Sequence, residues 1–270
     1  MNREQLISAL AQYGSSPEEA CFLTIGVRPE QVRQKVVLAP WWLPTVFDGL
    51  GEDQYLSHEA VDSIRVWDFE KDGQTFTYVR AGIGAPVTSD VLLALGLTPC
   101  QEVLFVGSAG ALSPEMAVGD VVVPEYSICG DGASRYIAGD SLQTDVFGER
   151  VYPDPALTAR LNAQAEKACA AYGVTLHKGR NFSVDTIFAQ FAHLDEIMAM
   201  GCNVIEMETA AVFRGARLMD MAAAALFIIT DNSVCNNSLM TAFSPEETAW
   251  RRRVRREAFP RMIWGTLFGR

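Results

Sequence analysis

Short apolar runs, each closed by glycine, proline or aspartate, constrain this chain more than any other feature. Lys35–Ala39 (KVVLA) stops at Pro40, and Phe76–Arg80 (FTYVR) runs into Gly82-Ile83-Gly84. Glu102–Val106 (EVLFV) stops at Gly107-Ser108-Ala109-Gly110, Asp120–Pro124 (DVVVP) ends on proline, and Ala223–Thr230 ends before Asp231. Continuous apolar runs of this length suit strands buried on both faces. Between them lie helical stretches: Ser89–Leu97, Pro155–Tyr172 with Leu157, Leu161, Ala165 and Ala168 on one face, and Glu208–Leu218. Asn203–Glu206 reads as a strand end. A short helix over residues 3–13 opens the chain, and Pro245–Ile263 closes it as a helix. The alternation predicts an α/β fold with a mostly parallel or mixed sheet covered on both faces. No repeat, low-complexity tract or linker interrupts it, so residues 1–270 read as one domain.

Composition narrows the function. Acidic residues number 33 against 22 basic, a formal net charge of −11, which argues against a nucleic-acid partner. WRRRVRRE (Trp250–Glu257) is basic, but Trp250, Val254, Ala258 and Met262 form a stripe at four-residue spacing. It reads as a terminal helix that packs one face and solvates its arginines. The longest strongly apolar stretch, Met221 to Ile229, falls short of the roughly 20 residues that cross a bilayer, and MNREQLISALAQYG lacks an export h-region. Six cysteines without CxxC spacing suit free thiols in the cytoplasm. Three histidines (His58, His177, His193) show no ligand spacing, so no metal site is expected.

Three segments place polar groups beyond the carboxyl ends of strands, where ligands sit in such sheets. In VGSAGAL (Val106–Leu112), Gly107 lets backbone approach a ligand and Ser108 adds a hydroxyl; equally, this is a tight strand-to-helix turn. In NVIEMETAAVF (Asn203–Phe213), Glu206 and Glu208 flank Met207. A carboxylate there suits two neighbouring hydroxyls, and Met207 suits an apolar sugar face; acids at a helix N-terminus also suit the macrodipole. In AAAALFIITDN (Ala222–Asn232), Asp231 stands at the sheet's edge, where burial would raise its pKa and make it a proton donor; the plainer role is capping the next turn.

In this order, the segments resemble the nucleoside phosphorylase and nucleosidase superfamily, which includes purine nucleoside phosphorylase, uridine phosphorylase and methylthioadenosine nucleosidase. IGVRPEQVRQKVVLAP (Ile25–Pro40), AGIGAP (Ala81–Pro86), VGSAGAL with VGDVVVP (Val118–Pro124), GRNFSVDTIF (Gly179–Phe188) and EMETAA (Glu206–Ala211) carry the resemblance, over about residues 22–235. It implies a three-layer α/β/α sandwich, a homo-oligomer (dimer, trimer or hexamer), and cleavage of an N-glycosidic bond. It assigns Glu208 to the ribose hydroxyls, Met207 to the sugar face and Asp231 to protonation of purine N7, so a purine is the expected base. Glu206, Gly107 and Ser108 join the substrate site, and Phe188 or its neighbour Ile187 falls near the base.

The chain departs from the family where phosphate binds. PWWLPTV (Pro40–Val46) replaces a Gly-Asp-Pro loop with its arginine, Phe105 stands where the central strand carries another arginine, and Thr24 replaces a histidine. Arg28, Arg65 and Arg80 are candidate substitutes; Arg65 is preferred, since its region resembles one delivering an arginine across a subunit interface. The nucleosidases' water-activating Glu is missing too, with no acid in residues 36–47. The leading expectation is phosphorolysis with inorganic phosphate as co-substrate and no other cofactor. Hydrolysis and non-catalytic nucleoside binding are the alternatives.

Overall fold

The computed structural model describes residues 1–58, 63–139 and 141–269. Its strands are β1 (Lys35–Ala39), β2 (Glu52–Tyr55), β3 (Arg65–Lys71), β4 (Gln74–Arg80), β5 (Glu102–Ala111), β6 (Val121–Cys129), β7 (Arg150–Val151), β8 (Leu176–Ser183), β9 (Val204–Glu206) and β10 (Ala222–Asn232). Its helices are α1 (Arg3–Gln12), α2 (Pro17–Ile25), α3 (Ala85–Leu95), α4 (Gly132–Tyr136), α5 (Pro155–Tyr172), α6 (Leu194–Ala199), α7 (Thr209–Leu218), α8 (Pro245–Arg253) and α9 (Phe259–Phe268).

All ten strands join one mixed sheet. β5 pairs in parallel with β1 and β10 and antiparallel with β9. β10 continues to β6, β6 to β8, and β8 to β9. Five strands, β5, β10, β6, β8 and β9, therefore close into a ring, and β1, β4, β3 and β2 extend from it as an arm. Alternation along the central strands sorts side chains to two layers. Val36, Leu38, Val103 and Phe105 pack with Ile25 of α2, Leu92 and Leu95 of α3 and Phe213 of α7. Val37, Ala39, Leu104 and Val106 pack with Leu157 and Leu161 of α5 and Met262 and Ile263 of α9. Helices thus cover both faces, as the α/β/α expectation required.

Several boundaries differ from expectation. The glycines after Val106 do not end the strand: β5 runs on to Ala111, because β10 pairs with it along its whole length. β6 likewise passes Pro124 and reaches Cys129 along β8. Several elements went unread: α2, β2, β3, α4, β7, β8 and α6. α2 starts at a reciprocal cap in which Ser16 and Glu19 satisfy each other's backbone N–H. The hairpin of β3 and β4 turns on Asp72-Gly73, both with positive φ, as a two-residue turn requires. At the C-terminus the helix widens over Val254–Ala258 into a π segment between α8 and α9. A strict four-residue stripe drifts off a 3.6-residue helical face, and a wider turn keeps Val254, Ala258 and Met262 buried together.

Candidate active site

The cavity originates in a split of the sheet. The β1 ladder on β5 stops at Phe105, and the β9 ladder starts at Gly110. Between them, one side of β5 has no strand beside it. A cavity of about 560 Å³ is lined there by Pro40, Trp41, Ser108, Ala109 and Gly110, with Glu206, Met207, Glu208 and Asp231. A hollow of the same volume beside Tyr172 and Trp264 is walled by exposed Asp48, Lys71, Asp72 and Arg261. Buried acids mark the first as the candidate site.

Register brings the acids together. Asp231 pairs with Gly110, which pairs on its other side with Ile205, next to Glu206. Gly110 is needed at this junction: a Cβ there would stand 3.1 Å from both Asp231 Oδ2 and Ile205 Cγ2. Asp231 is buried, accepting from Thr230 Oγ1 at 3.0 Å and the Leu239 N–H at 3.2 Å. Burial pushes its carboxyl above the ordinary 3.8, against those donors and the Arg251 charge.

Glu206 and Glu208 differ in what remains free. Glu206 Oε1 accepts from Ser183 Oγ at 2.5 Å, and Oε2 accepts the N–H groups of Glu208 and Thr209, both at 2.7 Å. It holds the start of α7, and burial raises its pKa against these donors. Glu208 is held at Oε1 by the Gly84 N–H at 2.7 Å, and the Met207 N–H also favours its charged form. Gly84 (φ +104) ends the Gly82–Gly84 turn, which the Gly82 N–H ties to the Pro40 carbonyl at 2.7 Å. That turn starts α3, so Glu208 also meets a helix N-terminus. Burial and the neighbouring Glu206 charge still push Glu208 up to about 8. Its second oxygen stays available to a ligand, with half-buried Met207 beside it.

Other expected residues separate. Ser108 lines the cavity, and its Oγ is enclosed without a hydrogen-bond partner. Gly107 does not line it; it lies beneath, where a Cβ would meet Phe227 at 3.2 Å and Pro40 at 3.7 Å. Phe188 is 83% exposed, and Ile187 lines the cavity in its place, because a 3₁₀ turn begins at Ala189 and carries Phe188 outward. Arg65 opens β3 opposite Arg80 and does not line the cavity. Arg28 pairs with Glu18 in the same chain. Trp42 is buried in the core against Phe47 and Phe259, and half-exposed Trp41 borders the cavity, so neither indole plugs it.

The sequence reading missed Gln190, Thr230 and Leu239, and above all Arg251, Arg252 and Arg255, all of which line the cavity. Arg251 Nη1 donates to the Thr230 carbonyl at 3.1 Å and lies over the Phe243 ring. The signal was the basic run itself, with arginines at i, i+1 and i+4. Among the described residues, no cluster of three or more His, Cys, Asp or Glu could hold a metal ion, and no helix is long and apolar enough to cross a membrane.

Residues 50–262 match the family model of the phosphorylase superfamily. The chain belongs to the phosphorylase superfamily. Within it, the chain is similar to a uridine phosphorylase of Salmonella typhimurium, 30% identical over 161 residues, 54% of this chain and 59% of that relative. The match therefore spans little more than half that relative's length. A DeoD-type purine nucleoside phosphorylase of Roseobacter denitrificans is 27% identical over 77% of this chain and 86% of its own. In fold, the chain is similar to a uridine phosphorylase structure from Vibrio fischeri, with TM-score 0.71 and 20% identity over 90% of this chain and 95% of that one.

Proposed function

We propose that the cavity cleaves the N-glycosidic bond of a nucleoside by phosphorolysis, with purine as the preferred base. The observation that carries this reading is that Asp231 and Glu208, both buried, line one cavity. Glu208 Oε2 takes the ribose hydroxyls, and Met207 packs on the sugar face. As the C1′–N bond lengthens, its electron pair moves into the base, and ribose gains oxocarbenium character. Asp231 gives its proton to the base at N7, removing the charge that develops there. An oxygen of phosphate then bonds C1′, leaving free base and ribose 1-phosphate. Burial supports the acid role, since it keeps Asp231 protonated to higher pH than an exposed carboxyl. Purine preference rests on the same residue, because N7 is an acceptor that a pyrimidine lacks.

The test is a panel of purine and pyrimidine nucleosides, with and without phosphate, separating ribose from ribose 1-phosphate. Purine cleavage to ribose 1-phosphate, only with phosphate, is expected. Free ribose irrespective of phosphate overturns phosphorolysis. Ligand-dependent shifts in melting temperature without any product overturn catalysis.

A further inference from the structure

Arg252 and Arg255 form an uncompensated positive wall on the cavity. Five arginines lie between Arg251 and Arg256, and two are neutralised within the chain. Arg253 pairs with Glu257 at 3.5 Å, and Arg256 with Asp48 at 2.8 Å. Neither Arg252 nor Arg255 forms an ion pair among the described residues. Arg255 belongs to the π segment and is half-buried, with its guanidinium 5.4 Å from the Trp42 ring. Its Nε is enclosed without a hydrogen-bond partner, as is Ser108 Oγ. Pro40, Trp41, Ser108, Arg252 and Arg255 border one cavity.

The Pro40–Trp42 segment joins these groups. Pro40 packs against Gly107, next to Ser108, and Trp42 lies under Arg255. Like charges held together this way oppose one another: burial and the charges of Arg252, Arg251 and Arg256 all depress the Arg255 pKa. In a chain of net charge −11, such a cluster at a cavity wall points to an anionic ligand. A tetrahedral oxyanion suits it, because guanidinium donors and a hydroxyl together match its several acceptor oxygens.

We propose that Arg252 and Arg255, with the Ser108 hydroxyl, hold a phosphate group, so that the C-terminal helix supplies an anion clamp that the segment after β1 lacks. Trp42 is a positioning residue: it occupies the space after β1 and supports the Arg255 guanidinium. The inference rests on the proposed reaction for its choice of inorganic phosphate, but the clamp itself would equally take the 5′-phosphate of a nucleotide.

Calorimetric titration of inorganic phosphate, and separately of a purine nucleoside 5′-monophosphate, distinguishes the two sources. The proteins are wild type, Arg252→Gln, Arg255→Gln and, as control, Arg253→Gln, each checked for an unchanged melting temperature. Loss of one charged donor is expected to weaken phosphate binding by at least about tenfold, with Arg253→Gln unchanged. Arg252 is exposed, so that variant keeps the test open even where Arg255→Gln disturbs packing. Weakening of the nucleotide alone keeps the clamp and assigns it the substrate's own phosphate. Binding of both anions unaltered in both variants, or no binding of either anion by the wild type, overturns the clamp. In parallel, nucleoside cleavage whose phosphate KM is unaltered leaves the reaction standing and removes the clamp. Phosphate binding lost in the variants of a protein that cleaves nothing does the reverse.

Discussion

Asp231 and Glu208 are both buried acids, yet their surroundings prepare them for different work. Both oxygens of Asp231 have donors, and in the proposed reaction its proton passes to the base; Glu208 has one oxygen outside its bond to the Gly84 N–H. Asp231→Asn is expected to lower kcat by about 10²- to 10⁴-fold while nucleoside binding survives. Wild-type turnover in that variant would remove the acid role. Glu208→Gln is expected to weaken nucleosides about tenfold or more and free base hardly at all, measured by competitive inhibition. Equal weakening of both would take the ribose from Glu208. Locally both acids fit a cap or a turn as well as a site; the resemblance assigned them to the site, and the structure brings both to one cavity. The arginines were not legible as site residues. Periodicity shows which side of a helix is buried, here Val254 and Ala258, but nothing in it shows what stands beside the remaining sides. Arg255 faces a cavity built from β5, β9 and β10, none of which adjoins it in sequence.

Among elements, β1, β4, β5, β6 and β10 announced themselves by apolar runs, and α5 matched its expected bounds because Asp154 caps it and Gly173 ends it in the left-handed region. The end of β5 was misread for a physical reason. Glycine signals a turn only where nothing pairs with it, and the partner of Gly107 and Gly110 is β10, over a hundred residues on. The same ladder makes Gly110 the hinge of the site, where β10, β5 and β9 meet. Gly110→Ala is expected to cost up to about 100-fold in turnover, because its methyl pushes Asp231 from its place. The stability cost is set by overpacking at about 1–3 kcal/mol, read by denaturant titration. Turnover unchanged at reduced stability would mean that Asp231 tolerates displacement.

Across the whole molecule, buried carboxyls tie stability to pH. Glu208 rises from the ordinary 4.5 to about 8 in the folded protein. Between those values the folded state keeps a proton that the unfolded chain has released, so stability falls as pH rises. The contribution is full below about 4.5 and is lost as pH climbs through about 8. Asp231 and Glu206 are raised too and act in the same sense. The melting temperature is expected to decline from about pH 5 to about pH 8.5, with a flatter decline in Glu208→Gln, which carries no titrating proton there. Parallel declines would place the proton elsewhere. Ring closure was invisible in the sequence, since no local pattern states that β9 returns to β5.

That closure also governs how copies of the chain avoid one another. A flat sheet offers two rows of unsatisfied peptide groups to any passing strand, whereas a ring consumes one of them internally. On the arm, the outermost strand is β2, whose residues Glu52, Asp53, Gln54 and Tyr55 are all exposed. Adjacent carboxylates at such a border repel a second copy approaching in register. Acidification toward the isoelectric point near 4.8 removes the net charge that keeps copies of the chain apart. Cross-chain strand addition at β2 is the route of aggregation expected near that pH.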